Sequence, residues 1–89
     1  AESGDKNAQY SIGAMYYTGN GLKRDYNEAI TWLKKSSDQN NPKALNLLGY
    51  MYQNGHGVSK NYSKALTLYR KAAEQGYANA QYNLGIMYH

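Results

Sequence analysis

The sequence repeats itself with a period of 36 residues. Shifting the chain by 36 places residues 4–53 against residues 40–89, and 16 of the 50 aligned pairs are identical. Unrelated sequences of average composition would match at roughly three positions, at about 6% chance identity. A fixed period of this length is typical of solenoids, in which each unit buries its apolar face against its neighbours. We therefore predict a single array with units at about 4–39 and 40–75 and a partial unit at 76–89.

Each unit is predicted to consist of two helices. The apolar residues of the second unit are Ala44, Leu48, Met51 and Tyr52 in its first half and Ala65, Leu68, Tyr69, Ala72 and Ala73 in its second. Spacings of three and four residues place side chains on one face of an α-helix and do not fit the alternation of a strand. We predict helices at about 6–17, 26–38, 43–53, 62–74 and 78–88, and no strand. The predicted fold class is all-α, a right-handed α-solenoid of antiparallel helix pairs.

Short polar residues and glycines mark the helix ends. Asp25 is a predicted N-cap with Glu28 three residues later, and Asn61 is a predicted N-cap of the next second helix. Asn61 also begins a sequon, Asn-Tyr-Ser, but we interpret it as a cap rather than as a glycosylation site. The turns between paired helices are Gly19-Asn20-Gly21 and Gly55-His56-Gly57. The first glycine of each turn suits the left-handed conformation that ends a helix.

Glycines also lie inside the predicted first helices. Gly13, Gly49 and Gly85 occupy one repeat position, where each costs up to about 1 kcal/mol relative to alanine. A close contact between helices would explain this cost. Ala29 and Ala65, at one fixed place in the second helices, are the predicted small residues on the other side of the contact.

These positions together resemble the SEL-like repeat, a relative of the tetratricopeptide repeat. The residues that carry the resemblance are Ala44-x3-Leu48-Gly49-x2-Tyr52-x2-Gly55-x-Gly57-Val58 and Ala65-x3-Tyr69-x2-Ala72-Ala73-x2-Gly76-x3-Ala80. The resemblance covers two full units and the first helix of a third. It implies an adaptor or scaffold that binds a protein or a peptide and has no catalytic activity and no cofactor.

The first unit departs from this pattern in its second half. Ser36-Ser37 stands where the second unit has Ala72-Ala73, and Asn40 replaces the turn glycine Gly76. Some cysteine-rich bacterial members of the family are linked to β-lactam hydrolysis, which makes a small hydrolase the alternative function. This chain has no cysteine, so that activity is not transferred to it.

Charge and composition restrict the class of partner. The formal net charge is +4, but the ten Lys and Arg residues are dispersed and never exceed two in a row, so we predict no nucleic-acid partner. No apolar run approaches the roughly 18 residues of a membrane span, so we predict no membrane insertion. The lack of cysteine fits either redox compartment and leaves the localisation undetermined.

Few residues suggest chemistry. His56 lies between two turn glycines and His89 is the last residue, and neither has the spacing of a metal site. We interpret His56 as a solvated turn residue and predict no metal. Basic residues recur in two rows on the second helices: Lys34, Lys35, Arg70 and Lys71. We interpret these rows as a solvated surface, with binding of an acidic surface as the alternative.

A second face of the first helices is the predicted binding surface. It varies between units and combines aromatic and amide side chains, as expected where an extended peptide is held. The candidate ligand-contacting residues are Tyr10, Tyr17, Lys43, Asn46, Tyr50, Gln53, Tyr82 and Ile86. Packing between adjacent first helices is the alternative role for Tyr10 and Tyr82. Because we expect Tyr50 and Gln53 to be exposed, their replacement by alanine should leave stability nearly unchanged.

The two ends of the sequence resemble cut points in a longer array. Residues 1–5 align with residues 73–77, the end of a second helix, and the chain stops inside a first helix. We therefore expect a piece of a longer solenoid. We also expect Leu84, Met87 and Tyr88 to be partly exposed, which would allow the piece to self-associate through its terminal helices.

Overall fold

The computed structural model describes residues 5–88, and in that range it contains five α-helices and no strand. The helices are α1 (Lys6–Thr18), α2 (Tyr26–Asp38), α3 (Pro42–Asn54), α4 (Tyr62–Ala73) and α5 (Ala78–Tyr88). Each predicted boundary agrees with the observed one to within one residue. The predicted all-α class and the repeating helix pair are therefore confirmed. Expectations about residues 1–4, about His89 and about the side chain of Tyr88 fall outside what is described.

The helices begin at short polar side chains that accept backbone hydrogen bonds. Asp25 Oδ1 accepts from the N–H groups of Asn27 and Glu28 at 3.0 and 3.2 Å. Asn61 Oδ1 accepts from the N–H of Lys64 at 3.0 Å. Both predicted caps are confirmed. Asp5 and Asn41 cap α1 and α3 in the same way, although neither is among the predicted caps.

Left-handed residues end the helices and begin the next connection. Gly19 and Gly55 have φ values of 77° and 73°, and their N–H groups donate to the carbonyls of Met15 and Met51, each at 2.8 Å. Asn40 keeps the turn geometry of its glycine counterpart, with φ at 66°. Asparagine tolerates this region better than most residues, so the first unit retains the turn without a glycine.

The core lies between paired helices and between neighbouring units. The predicted apolar face of α3 is buried at Ala44, Leu48 and Met51. The matching face of α4 is buried at Ala65, Leu68, Tyr69 and Ala72. Leu33 and Ile30 of α2 complete the apolar cluster, which extends into α5 at Ala80. Leu84 and Met87 of α5 are half-buried.

The helical glycines allow α1 to approach α2, and α3 to approach α4. A Cβ at Gly49 would lie 3.0 Å from two ring carbons of Tyr69 and 3.3 Å from the carbonyl oxygen of Ala65. A Cβ at Gly13 would lie 2.8 Å from Leu33 Cγ. The predicted close contact is thus confirmed at both positions. The nearest atoms are a large side chain and the carbonyl oxygen of the predicted alanine, not the alanine methyl group.

Gly85 differs from these two positions. A Cβ added there meets no atom within 4 Å. The close-contact prediction is not tested at Gly85, because the second helix of the third unit, which would carry the counterpart of Ala29 and Ala65, is not among residues 5–88. The difference gives a matched pair of positions in one protein.

We predict that Gly49→Val destabilises the fold and that Gly85→Val does not. The valine at position 49 must displace the buried Tyr69 ring, and overpacking of this kind costs about 1–3 kcal/mol. For a domain of this size, the thermal midpoint should fall by about 4–8 °C per kcal/mol. The midpoint of Gly85→Val should stay close to that of the wild type. Thermal unfolding followed by circular dichroism tests both variants, and equal losses would contradict the close-contact explanation.

Candidate functional site

The candidate binding face follows the first helices, α1, α3 and α5. Its exposed members are Tyr50, Tyr82 and Ile86, whose relative solvent accessibilities are 43%, 71% and 51%. Lys43 at the start of α3 is also exposed. We call these four residues the exposed strip. Tyrosine rings combine a large apolar area with a polar tip, so the strip offers both contact area and hydrogen bonding.

Two candidate residues make contacts inside the fold. Tyr10 is half-buried against the core, and burial, with a smaller contribution from Tyr77, raises its pKa above the ordinary value. Asn46 Oδ1 accepts a hydrogen bond from Asn83 Nδ2 at 2.9 Å, which joins α3 to α5. Tyr10 therefore packs against the core rather than extending into solvent. Tyr82, by contrast, extends into solvent.

Gln53 supports the interior of the second unit. Its Oε1 accepts a hydrogen bond of 2.6 Å from the hydroxyl of Tyr69, and Tyr69 is completely buried. Burial raises the pKa of Tyr69 well above the usual range, with smaller effects from Tyr50 and Tyr17. The expectation that Gln53 is exposed is therefore wrong, and its hydrogen bond to Tyr69 argues against its being dispensable. Sequence spacing along one helix could not reveal this bond, because its partner lies 16 residues away.

His56 is the centre of an aromatic cluster. We define the tyrosine–histidine cluster as Tyr17, Tyr26, Tyr50 and His56. The His56 ring stacks on Tyr26 with centroids 5.2 Å apart and an interplanar angle of 12°. Tyr50 meets it edge-on at 6.0 Å, and the hydroxyl of Tyr17 lies 2.9 Å from His56 Nδ1. The interpretation of His56 as a solvated turn residue is wrong, since the ring is half-buried and has three aromatic neighbours.

The backbone of the same turn rests on the preceding unit. Gly57 has a φ of 75°, and a Cβ there would lie 2.5 Å from Tyr26 Cβ and 3.3 Å from Ile30 Cδ1. Only glycine fits both the backbone conformation and the space. Burial raises the pKa of Tyr17, with smaller raising effects from Tyr50 and Tyr26 and a lowering effect from Arg24. The His56 ring and the Gly57 backbone thus join the turn of the second unit to the first unit.

An open cavity lies beside the strip at the other end of the molecule. It has a volume of about 380 Å³ and is lined by Gln53, Tyr62, Ser63, Leu66, Ile86 and Met87. We call it the α4–α5 cavity. Ile86 belongs both to this cavity and to the exposed strip. Tyr62, at the start of α4, is not among the predicted candidate residues.

The basic rows only partly converge. A groove of about 230 Å³ between α2 and α4 is lined by Lys34, Lys64 and Lys71, with Asp38 and Ser37 beside them and Leu45, Leu48 and Leu68 at its base. We call it the outer groove. Lys35 instead lies over the ring of Trp32, 4.5 Å from its centroid. Lys64 was missing from the predicted rows, since the first unit has Glu28 at its position.

Between residues 5 and 88, no group of three or more His, Cys, Asp or Glu side chains is placed to hold a metal ion. In the same range no helix has both the length and the apolar character needed to cross a membrane.

Comparison with known proteins gives a consistent family. The family model for the Sel1 repeat matches residues 6–41, 42–77 and 78–89. A putative sel1-like repeat-containing protein of Acanthamoeba polyphaga mimivirus is 49% identical over 45 residues, which are 51% of this chain and 8% of that protein. An ERAD-associated E3 ubiquitin-protein ligase component of Arabidopsis thaliana is 43% identical over 49 residues, 54% of this chain and 7% of that protein. The matched segments are thus less than a tenth of either relative.

A solved structure shares the arrangement of the helices. The Sel1 repeat protein from Oxalobacter formigenes superposes with a TM-score of 0.92 at 38% identity. The match covers 96% of this chain and 34% of the other. The helix pairs and their stacking are therefore common to both molecules.

We predict that Gln53→Ala destabilises the protein by about 1–3 kcal/mol, because it leaves the buried Tyr69 hydroxyl without its acceptor. Gln75→Ala is the matched control, since Gln75 is exposed and such substitutions usually stay within about 0.5 kcal/mol. Urea unfolding of both variants measures the difference. Equal stabilities would mean that Gln53 is free to serve as a ligand contact.

Proposed function

Because this chain belongs to the Sel1 repeat family, we propose that it is a non-catalytic scaffold that holds a peptide or protein segment against α1, α3 and α5. Sel1 repeat proteins generally mediate protein–protein interactions and are generally non-enzymatic scaffolds. The observation that carries the proposal is the row of exposed aromatic and apolar side chains at Tyr50, Tyr82 and Ile86. Large apolar side chains left in solvent along one face favour a binding surface.

The neighbours of the strip support its role as a rigid surface. The Tyr50 ring contacts His56 edge-on, so its position is restricted before any ligand arrives. The Asn46 to Asn83 hydrogen bond holds α3 and α5 at a fixed spacing. Fixing side chains in advance lowers the entropy lost on binding. We therefore propose Tyr50, Tyr82, Ile86 and Lys43 as ligand contacts. We propose that four partly buried residues hold these contacts in place from inside the fold: Tyr10, Tyr17, Asn46 and Gln53.

The similar proteins favour a scaffold over an enzyme. One relative is described as a component of an E3 ubiquitin-protein ligase, which is a part of a larger protein assembly. The alternative of a small hydrolase is supported by none of the comparisons. The absence of cysteine also separates this chain from the cysteine-rich members considered for that activity.

We predict that peptides selected by display on the 89-residue chain lose affinity when the strip is altered. Tyr50→Ala, Tyr82→Ala and Ile86→Ala should each weaken binding about fivefold or more, the effect of an anchoring side chain. Fluorescence anisotropy with the selected peptide measures the change. Thr31→Ala and Thr67→Ala, exposed on the second helices, should bind as the wild type does.

A loss of affinity supports the proposed surface only if the variant stays folded and the threonine controls still bind. Tyr82→Ala and Ile86→Ala should unfold close to the wild-type midpoint, since exposed substitutions usually stay within about 0.5 kcal/mol. Tyr50→Ala also removes the edge-on contact with His56 and should cost about 0.5–1.5 kcal/mol. Retained affinity in all three strip variants would contradict the proposed surface. An equal loss in the threonine variants would contradict its location.

A second candidate is the outer groove, which would hold an acidic segment of a partner. Three lysines, Lys34, Lys64 and Lys71, surround an apolar base, and Asp38 is the acidic side chain among its lining residues. A recessed leucine base below a cationic rim fits a peptide that alternates acidic and apolar side chains. The basic rows were interpreted as a solvated surface, with binding of an acidic surface as the alternative. The outer groove is the place where such binding would occur.

For this second candidate we predict a position-specific effect of charge. The double variant Lys34→Glu with Lys71→Glu should weaken binding of a labelled Glu-Leu-Glu-Glu-Leu-Glu peptide about tenfold at low salt, since like charges then face each other. The matched control, Lys23→Glu with Lys60→Glu, changes the net charge equally at exposed positions outside the groove. Anisotropy titrations of both compare the two sites, and equal weakening would indicate only a general charge effect.

A further inference from the structure

The side chain of Asn61 has a free amide group besides the oxygen that caps α4. The residue begins the sequon Asn61-Tyr62-Ser63, which fits the rule for N-linked glycosylation: asparagine, any residue but proline, then serine or threonine. From the sequence alone, the cap and the glycan acceptor are alternative roles for this asparagine. In the structure the two roles use different atoms of one side chain.

Three of the four polar groups of Asn61 are engaged by the fold. Its Oδ1 accepts from the N–H of Lys64 at 3.0 Å. Its backbone N–H donates to the carbonyl of Tyr52 at 2.9 Å, and its backbone carbonyl accepts from the N–H of Ala65 at 3.1 Å. The fourth group, the Nδ2 amide, makes no hydrogen bond with residues 5–88. Because the side chain is also exposed, Nδ2 is accessible from solvent.

Glycosylation at this nitrogen leaves the cap intact. In the transfer, Nδ2 attacks C1 of a sugar that is carried on a lipid diphosphate. The C1–N bond forms, the C1–O bond to the diphosphate breaks, and one Nδ2 proton goes to a base of the transferase. The product is still an amide, so Oδ1 keeps the lone pair that accepts from the N–H of Lys64. Asn61 can therefore cap α4 and carry a glycan at the same time.

The first unit shows that a following unit does not cover this position. Asp25 and Asn27 stand 36 residues before Asn61 and Ser63, and both are exposed although the second unit packs on this end of α2. The second unit contacts the residue between them, Tyr26. Asp25 also uses only Oδ1 for its cap. The acceptor nitrogen and the sequon hydroxyl therefore stay accessible with a further unit stacked on α4.

We propose that Asn61 is the acceptor of an N-linked glycan and that it keeps its role as the cap of α4 when modified. The chain then enters a compartment that holds a lipid-linked sugar donor and its transferase. Asn61 lies at the start of a second helix, whereas the exposed strip lies on the first helices. The modification is therefore compatible with the proposed scaffold function and does not depend on it.

The test directs the 89-residue chain into the secretory pathway of cultured eukaryotic cells with an N-terminal signal peptide. The wild type should carry one glycan that peptide N-glycosidase removes, and mass spectrometry should then find the change Asn61→Asp that this enzyme leaves. Ser63→Thr keeps the sequon and should be modified as well. Ser63→Ala removes the sequon hydroxyl but not the cap, and it should carry no glycan.

Thermal unfolding shows whether the cap survives the modification. The glycosylated chain and the enzymatically deglycosylated chain should have the same midpoint, because an aspartate at position 61 can cap as Asp25 does. Asn61→Ala removes the cap together with the acceptor. Its midpoint should fall by about 4–8 °C, the shift expected for the loss of one cap.

Three results would overturn the inference. The first is an unmodified chain recovered from cells and medium for both the wild type and Ser63→Thr. The second is a glycan that persists in Ser63→Ala. The third is a glycosylated chain whose midpoint falls as far as that of Asn61→Ala, which would show that the sugar breaks the cap. The display-peptide experiment on the exposed strip is separate, so the scaffold function and this modification site can fail independently.

Discussion

The close approach of paired helices at Gly13 and Gly49 is the constraint on which the rest of the structure depends. Gly49 in α3 lets the Tyr69 ring and the Ala65 carbonyl come so close that an added Cβ would lie 3.0 Å from the ring and 3.3 Å from the carbonyl oxygen. At this spacing the buried Tyr69 hydroxyl of α4 reaches Gln53, which lies on α3 like Gly49. The loss of helix propensity at glycine is thus offset by packing and by a satisfied buried hydroxyl.

Stacking of the units depends on a second contact, the turn that rests on the preceding helix pair. His56 and Gly57 contact Tyr26 and Tyr17, which lie more than 29 residues earlier in the chain. The same contact positions Tyr50 at the edge of the exposed strip. One interaction therefore fixes the register of two units and the orientation of a proposed ligand contact.

Much of the candidate site could not be predicted from the sequence. Helical spacing placed Tyr50, Tyr82 and Ile86 on an outer face, and these residues are exposed. The same reasoning treated Gln53 as equivalent to them, although it bonds to a buried tyrosine of the neighbouring helix. It also left His56 in solvent, because no local pattern shows that its ring stacks on a tyrosine 30 residues earlier.

The sequence by itself determined the period, the number and bounds of the helices, and the caps and turns that end them. These features depend on interactions within about four residues, such as Asp25 with Glu28 or Gly55 with Met51, so local spacing reveals them. Only the tertiary structure decided which side chains of a given face are free. Burial and hydrogen bonding there depend on residues 16 to 39 positions apart, as for Gln53 with Tyr69 and Tyr17 with His56. Those distances are set by how one helix pair packs on the next.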